Sequence, residues 1–258
     1  MRKLISLYIA LLLLVGCQPK QENITGIWFY TYSDKAIIVD DKALTPASFL
    51  YLNDNGEYSS FFGGFDHGKW EFADQQLKLK SANRNEEVLR VKRTGAGVLS
   101  VDWDDRKFEL EKQAGKFDNP SLNPFSSANN QWRTKATQKE SPGDIKTRIL
   151  NHFRFQELYF RWALDNGFSS LDVRSTPSLI KIYGNGFSVV AYNELAEGWK
   201  SNFYDEEDCR LATTMITKLF QENDIAWSKT ENKFKMFISA FQQLQQQLAE
   251  QPINDNTD

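Results

Sequence analysis

KWEFADQQLKLKSANRNEEVLRVKRTGAGVLSVDWDDRKFELEK, residues 69–112, decides the fold. Five short strand-like runs (69–73, 77–81, 88–94, 98–103 and 107–111) are set apart by Asn83-Arg84-Asn85, Gly95-Ala96-Gly97 and Asp104-Asp105. Such clusters are turn formers, and nothing between them has a helical period. The same rhythm continues upstream in 24–32, 36–39, 49–52 and 58–62, with Asp54-Asn55-Gly56 and Gly63-Gly64 as turns. The first of these runs is rich in β-branched and aromatic side chains, which suit a pleated surface. Eight or nine short strands at about ten-residue spacing predict an antiparallel meander over residues 24–112, closed as a sandwich or barrel.

Two tripeptides sharpen that to a barrel. Gly26-Ile27-Trp28 opens the first strand and Gly68-Lys69-Trp70 recurs in the middle. Residues i and i+2 share a face, so an indole can cover the close approach that a glycine permits. A Gly-x-Trp on the first strand resembles the lipocalin-like barrels of bacterial lipoproteins, over residues 24–112. The resemblance implies a barrel, yet fewer than ninety residues make short strands, and small barrels are filled by their own side chains. Trp28, Phe61, Trp70, Phe72 and Trp103 are the expected filling.

Residues 113–141 have no clear periodicity. Asn119-Pro120, Asn123-Pro124, Ser126-Ser127 and Asn129-Asn130 are loop signals, so the stretch reads as a linker. Residues 142–251 then read as an α+β domain, making the whole chain α+β. Ser141-Pro142-Gly143-Asp144 starts a helix that should stop at Asn166-Gly167. Residues 179–192 read as a hairpin turning at Asn185-Gly186, with Ile182 opposite Val189 and Ile180 opposite Ala191. Residues 171–174 are a candidate third strand. One further helix begins at the acidic cluster from Asp205 to Asp208, and another at Ser228, which with Glu231 forms a capping box. The polar tail, 252–258, is expected to be loose.

The first seventeen residues speak to location. Arg2 and Lys3 precede an apolar run over 4–15 and then Gly16, the layout of a secretory signal covering 1–16. About twelve apolar residues are too few to span a bilayer as a helix. Leu14-Val15-Gly16-Cys17 closely resembles the lipobox of bacterial lipoproteins. That resemblance implies cleavage before Cys17, a diacylglycerol on its sulfur and an acyl chain on its new amine, leaving 17–23 as a lipidated tether. Two or three chains hold a protein on a membrane stably where one does not. Gln18, where inner-membrane lipoproteins carry aspartate, resembles lipoproteins sent to the outer membrane, facing periplasm or surface.

Composition excludes several functions. Hydrophobic content of 41% and aromatic content of 14% call for folded cores rather than disorder. Loss of Arg2 and Lys3 leaves 29 basic against 34 acidic side chains, a net charge of −5, and no basic block, so no nucleic-acid partner is expected. With Cys17 acylated, Cys209 has no disulfide mate. The histidines are His67 and His152. Asp66 and His67 are strand neighbours facing opposite ways, so they make no dyad. His152 has no second ligand at metal spacing, Asp102, Asp104 and Asp105 lack the glycine and distal glutamate of a calcium loop, and Cys209 falls on an apolar helical stripe. The glutamines over 242–247 read as a solvated helix face. No catalytic residue, metal or cofactor is assigned, and the ligand-binding residues are left open. The reading is a membrane-anchored envelope lipoprotein with a non-catalytic binding or scaffolding role. Its partners are the membrane, through acyl chains on Cys17, and a protein or a small hydrophobic ligand. The alternatives are an envelope hydrolase whose carboxylates converge only in the fold, and a hydrophobic-ligand carrier inside the barrel.

Overall fold

A computed structural model describes residues 23–31, 36–39, 42–62, 64–82, 85–113, 115, 117, 119–168, 179–183, 186–223 and 232–252. The signal, Cys17 and the tether to residue 22, the candidate strand at 171–174, the box of Ser228 and Glu231, and the tail from residue 253 lie outside the described residues.

Eight strands close into an antiparallel barrel in the cyclic order β1 (Gly26–Tyr30), β10 (Arg106–Gln113), β9 (Val98–Trp103), β8 (Glu87–Gly95), β7 (Gln76–Ser81), β6 (Gly64–Ala73), β5 (Glu57–Phe62) and β4 (Phe49–Leu52). The run at 36–39 is not a barrel stave. Ile38–Val39 (β2) pairs with Lys42–Ala43 (β3) in a separate two-stranded hairpin on the β1–β4 connection.

The strands fall into two chemical kinds. Around β7 to β10 burial alternates strictly, with Leu77, Leu79, Leu89, Val91, Leu99, Val101, Phe108 and Leu110 inside and charged residues outside. One face of these strands meets water. β1 and β4 are apolar without a break because both of their faces are covered. Trp28, Tyr30, Leu50 and Leu52 point in, while Ile27, Phe29 and Phe49 point out into a second core.

That second core is a helical layer. α1 (Pro142–Asp165) starts at Ser141, whose side chain accepts from the Asp144 N–H while Asp144 reaches back, a complete capping box. It stops before Gly167, at φ +70°. α2 (Glu206–Glu222) is capped by Asp205, which accepts from the Asp208 N–H. α3 (Lys233–Glu250) is capped by Asn232, which accepts from Phe234 and Lys235. All three helices turn apolar faces to the same cluster.

In the hairpin, β11 (Ile180–Tyr183) pairs with β12 (Gly186–Val189) so that Ile180 faces Val189 and Ile182 faces Phe187. The register is two residues off the expected one. A slip of two preserves the alternation along each strand, so the pattern that points to the hairpin does not distinguish the two registers.

The stretch read as a linker is packed between barrel and helices. Two short 3-10 turns, Pro120–Leu122 and Ala128–Arg133, carry Phe125 and Trp132 into the second core. Asparagine side chains replace the missing regular ladder. Asn130 Nδ2 donates to the carbonyls of Pro124 (2.6 Å) and Ser126 (2.9 Å), and Asn129 Nδ2 to those of Ser121 (3.0 Å) and Asn123 (2.9 Å). Phe125 meets the Trp162 ring edge-on at 4.9 Å, and Phe29 stacks on Trp162 at 6.2 Å.

Candidate functional site

Most residues with chemical potential are absorbed by the fold. Cys209 is buried among Ala212 and Ile216, and burial pushes its thiol up to about 11, far from a reactive thiolate. Asp66 points into the barrel, accepting from Tyr58 Oη (2.7 Å) and Ser81 Oγ (2.7 Å), and His67 lies on the outside against Phe65. Burial and the Asp66 carboxylate raise the Tyr58 pKa strongly, so the phenol stays a donor. Asp104 and Asp105 form a turn with φ of 48° and 62°. Asp208 accepts from the backbone N–H of Glu140 (3.0 Å), tying α2 to the start of α1. The glutamines are only partly a solvated face. Gln242 and Gln245 both donate to Glu157 on α1, at 2.8 and 2.9 Å. Among the described residues, no three His, Cys, Asp or Glu side chains gather as a metal site.

The barrel interior is solid. Trp28, Tyr30, Phe62, Phe72, Trp103 and Phe108 fill it with the leucines and valines of β4 and β7 to β10, and Trp70 packs at its rim. Phe62 meets Trp103 and Phe108 edge-on, each at 5.9 Å. Phe61, expected inside, points outward instead and joins the second core, because Tyr58 and Phe62 hold the inward positions of β5. Gly68 lies where β6 and β7 crowd together, since a Cβ there would sit 2.1 Å from the Lys80 carbonyl oxygen.

Two places combine charge with incomplete pairing. The first is the seam between barrel and helices. The Arg133 guanidinium is buried within 6 Å of the Phe49, Phe61, Trp132 and Phe155 rings, and its Nε and Nη1 have no hydrogen-bond acceptor. Burial pulls its pKa down to about 9. His152 is buried against Trp132 and Trp199 (4.5 and 4.8 Å), and burial, reinforced by Arg133, lowers its pKa to about 3. This is a packed seam: Arg133, His152, Trp132 and Trp199 are all buried in it.

The second is the barrel end where residue 23 enters. Alternate turns of a meander share an end, so the turns at 53–56, 74–75 and 96–97 lie beside residue 23 and the exit of β10. Lys112 follows Phe108 and Leu110 on the inward face, and Arg93 follows Leu89 and Val91. Both cations therefore rise over the last apolar layer. Lys112 Nζ stands 5.3 Å from the Trp28 ring centre, and Arg93 Nε donates to the Gly95 carbonyl at 3.3 Å. Neither reaches a carboxylate among the described residues. Burial, and then Arg93, lower the Lys112 pKa. Gly26, at φ +127°, makes room, since a Cβ would meet Lys112 Cε at 2.8 Å. Lys112 also lines a recess of about 480 Å³ together with Asn23, Tyr51, Asn53, Asp54 and Phe117. Sequence reading singled out Trp28 and Gly26 but not the cations. Their inward register at the strand ends was the available signal.

Fold and site together define a solid eight-stranded barrel backed by a helical layer, with a cation-topped recess at one end. The chain matches no protein-family model and no curated protein.

Proposed function

We propose that the chain is a lipid-anchored protein of the bacterial envelope, held through Cys17, whose folded part docks and scaffolds rather than catalyses. The barrel is similar to the lipocalin-like barrels of other lipoproteins, and the closed meander supports that likeness. The observation carrying the docking role is the solid interior: Trp28, Phe62, Trp103 and their neighbours occupy the space a carried ligand would need. Contacts are then made on surfaces, to membrane and to protein. Two measurements test this. Cys17→Ser should move the protein from the membrane to the soluble fraction, and retention on the membrane overturns the anchor. Cross-linking of the anchored protein in intact envelopes should trap a discrete partner, whereas background alone overturns the scaffold role.

A further inference from the structure

We propose that the barrel end bearing Lys112 and Arg93 faces the bilayer and holds the phosphate of a phospholipid headgroup; this rests on the anchor reading above. Five residues, 18–22, lie between Cys17 and Asn23, making six Cα–Cα steps. A chain extends at most about 3.5 Å per residue, so the recess beside Asn23 stays within about 20 Å of an acylated sulfur. The opposite end of the barrel is a full strand length further away. The near end is topped by two inward-register cations, Lys112 and Arg93, that lack carboxylate partners among the described residues, whereas the far end has one, Arg106, together with the inward-register carboxylates of Asp66 and Glu87. The far end holds the buried Asp66 with Tyr58 and Ser81.

Charge complementarity selects the occupant. The mature chain carries a net charge of −5, which a bilayer rich in phosphate repels as a whole. A local cation pair near such a surface is too weak to recruit the protein unaided but enough to orient one already tethered. Asn23 and Asn53 offer amides at the same recess. The Asn23 Oδ1 is already taken by the Thr25 N–H at 2.9 Å, which fixes the residue where the tether ends.

The experiment uses the lipidated full chain in nanodiscs of phosphatidylethanolamine and phosphatidylglycerol, with a fluorophore on Asn55→Cys at the near end or Glu86→Cys at the far end. A quencher sits on the lipid headgroups. The Asn55 probe should be quenched several-fold more than the Glu86 probe, and Lys112→Gln with Arg93→Gln should bring the two together. Equal quenching in the otherwise unaltered protein, or a difference that survives both substitutions, overturns the proposal while leaving the anchor intact. A protein that fails to stay on the nanodisc overturns the anchor reading and this one with it. Titration with inorganic phosphate alone separates the remaining source: abolition of the quenching difference by free phosphate would mark a soluble-anion site and overturn bilayer docking.

Discussion

Arg133 and His152 show how far a single residue's state depends on what closes over it. A buried guanidinium without acceptors is costly, and ring faces offset only part of that cost. Arg133→Met, similar in volume and without charge, is expected to leave stability unchanged or raise it by about 1–2 kcal/mol in urea unfolding. A clear loss would mean that the cation is needed where it lies. His152 titrates with the opposite consequence for acid. Its folded pKa of about 3 lies below the ordinary 6.5, so the unfolded chain takes up the proton first. Its contribution is complete above pH 6.5 and falls by about 1.4 kcal/mol per pH unit toward pH 3. His152→Phe should flatten that limb of the stability profile, read by urea unfolding at pH 7, 5 and 4. The sequence identified His152 as structural from its isolation. It gave no hint of Arg133, because loop, barrel and helix each supply one wall of its cage.

At the scale of elements, the legible parts were those with a local cause. The helix start at Ser141, the stop at Gly167 and the meander turns around 54–56, 96–97 and 104–105 all follow from short-range chemistry, and the structure has each of them. The packed segment after β10 was unreadable because its order comes from asparagine side chains and from two aromatic rings meeting distant partners. The candidate site was only half legible: the Gly-x-Trp pair marked the barrel end, but Lys112 on β10 and Arg93 on β8 meet only across β9, once the register of both hairpins is set. The contrast between unbroken β1 and alternating β9 also carried information, since it marks the side on which the helices dock. One substitution tests the close approach behind the second Gly-x-Trp. Gly68→Ala puts a methyl against the Lys80 carbonyl and should cost on the order of 3 kcal/mol, measured by urea unfolding. A neutral result would mean that β6 and β7 part more easily than their spacing suggests.

For the whole molecule, the decisive feature is the seam at which β1 and β4 turn Ile27, Phe29 and Phe49 into the helical core. Barrel and helices are thereby made to unfold together. Trp162→Ala removes the ring that meets both Phe29 and Phe125 and should cost about 3–5 kcal/mol. Near-ultraviolet and far-ultraviolet melting curves should remain coincident in that variant; separate transitions would show two independent cooperative units. The same seam gives the molecule a mechanical axis. A pull on residue 23 enters β1, which is hydrogen-bonded along both edges, to β4 and β10, and gripped on its outer face by the helices. Tension between the tether and anything clasping the helical layer would run through that one strand in shear, sparing the other side of the barrel from strain.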